Sequence, residues 1–379
     1  MAPIVIIGSG LAGYTLAREL RKFDREMPLA VVTADDGSFY SKPMLSNALA
    51  SGKGARDLAL KPAAAMAAEL NAAVHAAIGV QAIDLARRRL RTAAGEIAWS
   101  KLALATGADP IRLPLAGEGA AAVLSVNDLR DYARFRTAIE GSKRVAILGA
   151  GLIGCEFAND LALGGHSVDI ADIAPQALGR LLPEQAATGL RDALAALGVR
   201  WHLGKKAVAV HRAGDALQLA FEDGSAIETD VVLSAVGLAP RTALARSAGL
   251  TVARGIAVDR YLRSSHPDVY ALGDCAEVEG QVLPFVMPIM HAARALASTL
   301  SGSEKAVVYP PMPVVVKTPA LPTVVCPPAP GAAGAWQIES EAGGTLARYV
   351  DADGRLVGYA LTGAAAAHKN RLLKEMQTA

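Results

Sequence analysis

The chain has 379 residues, 38 of them basic and 36 acidic, for a formal net charge of +2. That balance excludes the broad basic excess of a nucleic-acid binder, and no apolar run approaches the ~20 residues that span a bilayer. The length suits two or three domains with their own cores, filled by Ala, Val, Leu and Ile because aromatics make up only 4% of the chain.

The first element is the short apolar run Ile4–Ile7, which leads into Gly8-Ser9-Gly10-Leu11-Ala12-Gly13. No basic segment precedes it, so no signal peptide is expected and the protein is assigned to the cytoplasm. A buried parallel strand, a glycine turn, a helix over Leu11 to Lys22 and a second strand over Leu29 to Thr33 make a βαβ beginning. The same grammar returns at Val145–Leu148, Gly149-Ala150-Gly151-Leu152-Ile153-Gly154, a helix over Leu152 to Leu163 and a strand over Ser167 to Ala171. Between the copies, the alanine-rich stretch from Pro62 to Ala68 reads as a plain helix, and Gly107 to Gly119 reads as a boundary loop. Gly237-Leu238-Ala239-Pro240 is a second boundary. Met287 to Met290 precede a helical run over Ala292 to Leu300. Beyond Pro310, prolines punctuate runs such as Val314–Val316 and Thr323–Val325, which are too short for helices and mark a small C-terminal domain of α+β or antiparallel type.

A Gly-x-Gly-x-x-Gly gains meaning between a strand and a helix. The first glycine makes the turn, the second admits a pyrophosphate, and the third lets helix and strand pack. Unpaired N–H groups and the helix dipole then meet the phosphates. In the second copy Asp172 stands where a carboxylate accepts from a ribose 2′-OH and repels a 2′-phosphate, which favours NADH over NADPH. In the first copy the equivalent place falls on Ala34, and the adenosine ribose is assigned to the next residue, Asp35. Two dinucleotide sites in one chain imply two dinucleotides, and the economical chemistry is hydride transfer between NAD(H) and a bound flavin, FAD.

Two further strands end in short motifs, Leu102-Ala103-Leu104-Ala105-Thr106-Gly107 and Val269-Tyr270-Ala271-Leu272-Gly273-Asp274. With them the whole chain resembles the FAD-dependent pyridine nucleotide–disulfide oxidoreductase superfamily. The resemblance implies an α/β protein of two Rossmann-like dinucleotide-binding domains, an FAD domain (1–110 and 241–310) with an inserted NAD domain (111–240), plus a small C-terminal α+β domain (311–379). It places a ribityl hydroxyl of FAD on Asp274, a role a carboxylate at a strand's C-terminal edge suits on physical grounds. Narrower strings, Tyr40-Ser41-Lys42-Pro43-Met44-Leu45-Ser46, Gly151 through Leu161, Val316-Lys317-Thr318-Pro319 and Tyr359 through Gly363, resemble the bacterial rubredoxin–NAD reductases. By that resemblance Lys42 and Pro43 lie along the flavin, Val80 and Gly237 complete the cofactor contacts, and Glu156 faces the nicotinamide end of NADH. A first-turn glutamate would also suit the helix dipole.

The chain departs from its relatives at two places. Asn47 stands where a flavin-directed lysine is usual, and Asp109 stands where an arginine follows the Ala-Thr-Gly strand. Lys317, alone after Val314, Val315 and Val316, is the candidate replacement, stabilising negative charge on the reduced flavin; an edge-strand surface lysine is the alternative. Cys155, Cys275 and Cys326 form neither a Cys-x-x-Cys pair nor a metal-ligand spacing, so no metal, no redox disulfide and a reducing compartment are expected. The resemblance therefore implies a monomeric enzyme that passes electrons from NADH through FAD to rubredoxin, a small acidic iron protein, with no nucleic-acid or membrane partner. A reductase of a ferredoxin or flavorubredoxin, and an NADH-switched signalling flavoprotein, fit the same motifs. Arg87 to Arg89 with Arg91, and Lys369, Arg371 and Lys374, are read as solvated basic faces.

Overall fold

A computed structural model describes residues 2–141, 143–329, 331–341 and 343–378; the expected domain ends at 1 and 379 lie outside it. The chain divides into two compact units. The first comprises residues 1–42, 57–109 and 238–309, and the second 43–56, 110–237 and 310–379.

The first unit is built on a five-stranded parallel sheet in the order Val269–Ala271, Lys101–Leu104, Ile4–Ile7, Leu29–Val32, Ala73–His75. Ile4–Ile7 is buried at every position, as expected for a strand covered on both faces, and each such side chain contributes about 1.5–3 kcal/mol of burial. The register aligns Ile7 with Val32 and Leu104, and Leu104 with Ala271. The four strands therefore end together, and Gly8, Thr33, Ala105 and Leu272 leave the sheet along one edge. The chain runs from the central strand to one side and then returns to the other, which opens a crevice at that edge. The helix Leu11–Phe23 follows the first strand, and Val286–Leu300 packs beside it, with Thr15 Oγ1 3.9 Å from Met290 Sδ. A three-stranded antiparallel sheet, Val80–Asp84, Arg89–Thr92 and Gly95–Ala98, completes the unit.

The second unit repeats the plan with a four-stranded parallel sheet in the order Arg200–Leu203, Ser167–Asp172, Arg144–Leu148, Val231–Ser234. Leu148 aligns with Ala171 and with Ser234, so Gly149, Asp172 and the Ser234–Gly237 segment share its C-terminal edge. The helix Leu152–Leu163 follows the glycine turn. The same unit holds a five-stranded antiparallel sheet in the order Val314–Val316, Thr323–Cys326, Leu356–Gly363, Gly344–Val350, Ala335–Glu341, with the helix Lys369–Thr378 after it. This is the α/β architecture with an α+β C-terminal portion.

Some local expectations change. The run expected to begin at Ala292 is one helix from Val286 to Leu300; Pro288 lies in its first turn, where the missing N–H is not needed. The two boundary loops contain short strands, Ala108–Pro110 and Leu238–Pro240, that form a two-stranded ribbon. No helix among the described residues is long and apolar enough to cross a membrane.

Candidate functional site

The two glycine turns share a geometry in which each glycine has a different reason to be there. Gly8 and Gly149 adopt φ of +114° and +105°, which side chains rarely tolerate, and an added Cβ would lie 2.2 Å from Ala105 O and 2.7 Å from Ala235 O. At Gly13 and Gly154 an added Cβ would lie 1.9 Å from the carbonyl oxygen of Gly8 and of Gly149. These four are required by the protein itself. Gly10 and Gly151 are not. Each caps its helix in extended conformation, with φ of −66° and −75°, and an added Cβ would meet nothing within 4 Å. Neither backbone nor packing calls for glycine at these two positions. What they preserve is open space above a helix N-terminus, where Leu11, Ala12, Leu152 and Ile153 begin the helices and where a pyrophosphate would lie. The residues fit the two dinucleotides that the sequence implies.

In the first unit, Asp35 is bound through Oδ1 alone, by Ser9 Oγ at 2.8 Å, Thr33 Oγ1 at 2.7 Å and Gly37 N at 2.9 Å. Oδ2 takes no hydrogen bond among the described residues, which leaves a fixed carboxylate oxygen for a ribose hydroxyl. Gly273, at φ +78°, lies close enough to Ala12 that an added Cβ would be 2.7 Å from that side chain. Asp274 follows it, and Lys42 Nζ is 3.6 Å from Asp274 Oδ2. Ala105, Thr106 and Gly107 leave the adjacent strand, and Val80 opens the antiparallel sheet. Asp109, where an arginine is usual, instead binds an arginine from a distant part of the same unit. Arg241 Nε bonds Asp109 Oδ1 at 2.6 Å, Arg241 Nη1 bonds Thr106 O at 3.2 Å, and Thr106 Oγ1 bonds Arg241 O at 3.1 Å. Only the fold, which pairs the two short ribbon strands, brings Arg241 here.

In the second unit Asp172 braces its own turn, accepting from Ala150 N at 2.6 Å and Ala174 N at 2.8 Å. Gly237 has φ +115° and accepts from Ile111 N at 3.0 Å. Pro43 stands at the start of this unit's first segment. Glu156 lies beyond the first helical turn, which holds no acidic residue, so it is not the dipole-stabilising residue considered above. Its side chain is fully buried. Oε2 accepts from Ser46 Oγ and pairs with Lys317 Nζ, and Oε1 accepts from Lys317 N at 2.9 Å. Lys317 Nζ also donates to Ser46 Oγ at 3.1 Å. Lys317 is therefore not a free surface lysine: its side chain is 25% exposed against a carboxylate at 0%. Removing one member of a buried pair costs about 3–5 kcal/mol because the other is left uncompensated.

All three cysteines are free and buried. Burial pushes the Cys155 and Cys275 thiols upward and the Cys326 thiol up to about 11, the opposite of what a nucleophilic thiolate needs. Among the described residues no group of three His, Cys, Asp or Glu side chains is placed to hold a metal.

Residues 2–298 match the profile of the pyridine nucleotide-disulphide oxidoreductases, and residues 306–376 match that of a rubredoxin binding C-terminal domain. The chain is 51% identical over 378 residues to a rubredoxin-NAD(+) reductase of Alcanivorax borkumensis, covering 99% of each. It is 44% identical over 384 residues to a rubredoxin-NAD(+) reductase of Acinetobacter baylyi, covering 99% of this chain and 98% of the other. A solved ferredoxin reductase of Rhodopseudomonas palustris matches with a TM-score of 0.89 at 27% identity, over 97% of this chain and 93% of its own. Two glycine cradles on parallel sheets and a match across residues 2–298 lead to one conclusion: the chain belongs to the pyridine nucleotide-disulphide oxidoreductase family.

Proposed function

We propose that this protein carries electrons from NADH through FAD to rubredoxin. The observation that carries the reading is the pair Gly10 and Gly151, glycines that neither fold nor backbone requires and that keep two dinucleotide cradles open. When bound, FAD accepts hydride from NADH and delivers single electrons to an iron centre.

The residues do positioning and electrostatic work. In the first unit Gly8, Gly10, Leu11, Ala12 and Gly13 would hold the FAD pyrophosphate and Asp35 its ribose. Ala105, Thr106, Gly107, Gly273, Asp274, Lys42 and Val80 would line its remaining length. In the second unit Gly149, Gly151, Leu152, Ile153, Gly154 and Asp172 would hold NADH, with Gly237 beside them and Asp172 disfavouring a 2′-phosphate. Pro43 is assigned to the flavin. Glu156 lies on the helix that begins at the NADH cradle and is assigned to its nicotinamide end. Glu156 also holds the Lys317 ammonium, which we assign to stabilising the reduced flavin. Replacing that cation by an isosteric apolar side chain, Lys317→Met, is expected to shift the flavin potential negative by about 30 mV or more, a tenfold change in its two-electron equilibrium. An unchanged potential in a dye-referenced titration would remove Lys317 from this role.

We place the reaction in the cytoplasm, a setting that suits three free thiols. Arg371 and Lys374 lie exposed on the helix Lys369–Thr378, within the portion that matches a rubredoxin-binding domain. Basic residues there would steer an acidic partner. NADH-dependent reduction of purified rubredoxin should therefore slow as salt rises and the Debye length shrinks. A rate flat from low to high salt would contradict steering, and faster reduction of a ferredoxin would change the acceptor.

A further inference from the structure

The helix Leu152–Leu163 buries three polar side chains in a row, Glu156, Asn159 and Asp160, at 0%, 1% and 4% exposure. Buried polar groups are retained where something binds them, and here each is bound by chain from outside the helix. Asp160 clamps the segment that carries Ser46: Oδ2 accepts from Leu49 N at 2.8 Å and Oδ1 from Ala50 N at 3.0 Å. Asn159 Oδ1 accepts from Ala320 N at 3.1 Å, just beyond Lys317. The same segment is tied further on, where Tyr132 Oη and Arg136 Nη1 each donate to Lys53 O at 3.0 Å. Glu156 and Asp160 sit one helical turn apart on one face, so the helix holds Ser46 at its hydroxyl through one carboxylate and at its flanking backbone through the other.

The Ser46 hydroxyl has one proton. It donates that proton to Glu156 Oε2 and accepts from Lys317 Nζ. That leaves it filling the angle between carboxylate and ammonium, and it fixes where the ammonium stands. We infer that Ser46, locked in place by the Asp160 clamp, is a positioning residue that sets where the Lys317 ammonium stands. The inference deepens the proposed function, because it rests on Lys317 acting on the flavin. It adds two residues that the glycine motifs and the Lys–Glu pair do not require.

The test uses the full-length flavin-bound protein and needs neither NADH nor rubredoxin. The flavin potential is measured by titration against a reference dye in wild type, Ser46→Ala, Ser46→Thr, Asp160→Asn and Lys317→Met. Ser46→Ala and Asp160→Asn are expected to move the reduction equilibrium about tenfold toward the oxidised form, a shift of about 30 mV negative. Ser46→Thr, which keeps the hydroxyl, should restore the wild-type value. In a Lys317→Met background, Ser46→Ala should add nothing, because the residue acts through the lysine. If Asp160→Asn fails to fold, the Ser46 pair alone decides. A potential unmoved by Ser46→Ala, with Lys317→Met still shifted, would overturn the inference and leave the proposed function intact. An unmoved potential in Lys317→Met as well would overturn both the lysine's role and the inference.

Discussion

Gly151→Val is expected to give a folded, yellow protein that NADH reduces about 100-fold more slowly than wild type, while dithionite reduces it normally. The extended cap conformation at φ −75° and ψ −172° suits a β-branched residue. An added Cβ meets no protein atom within 4 Å. The loss of a glycine cap costs about 1 kcal/mol, too little to unfold the unit. The valine methyls would instead stand where the pyrophosphate approaches the helix N-terminus. A displacement of that kind at a reacting pair costs about 100-fold in rate. Stopped-flow absorbance of the flavin band measures both reductions. A Gly151→Val protein reduced by NADH at the wild-type rate would show that the space is not used.

Gly10→Val makes the matching prediction for the other cradle. The backbone again tolerates it, at φ −66° and ψ −172°, and the space is again open. The expected product is folded by circular dichroism but colourless, having lost at least about nine-tenths of its flavin, since roughly 1.4 kcal/mol is tenfold in occupancy. It should still bind NADH, because that cradle belongs to the other compact unit. Gly13→Val is the contrast. There the side chain strikes Gly8 O at 1.9 Å, and misfolding is expected rather than selective flavin loss. Full flavin content in Gly10→Val would remove the distinction between glycines kept for the fold and glycines kept for a ligand.

The two cradles were legible in the sequence because everything that makes them is local. A buried strand, a turn that needs φ above zero and a helix start lie within a few residues of each other, twice. The parallel register then collects Asp35, Thr106 and Asp274 at one sheet edge, which the strand-ending motifs already implied. The cluster around Glu156 was only half legible. Glu156 and Lys317 were each singled out, but they are 161 residues apart, and Ser46 is 110 residues from Glu156. No periodicity connects positions that meet only through tertiary structure. Asn159 and Asp160 carry no local signal of the segments they bind, because their helix is buried from Gly154 to Leu161 by parts of the chain far away in sequence. The contact of Arg241 with Asp109 and Thr106 has no sequence signal for a related reason: a strand as short as Leu238–Pro240 has too few residues to display a two-residue period.

Anaerobic stopped-flow oxidation of the NADH-reduced protein by purified rubredoxin tests the proposed electron path most directly. The flavin absorbance is expected to return as the iron centre bleaches, with matching rate constants that rise with rubredoxin concentration. A reduced protein that stays reduced in the presence of oxidised rubredoxin would contradict it.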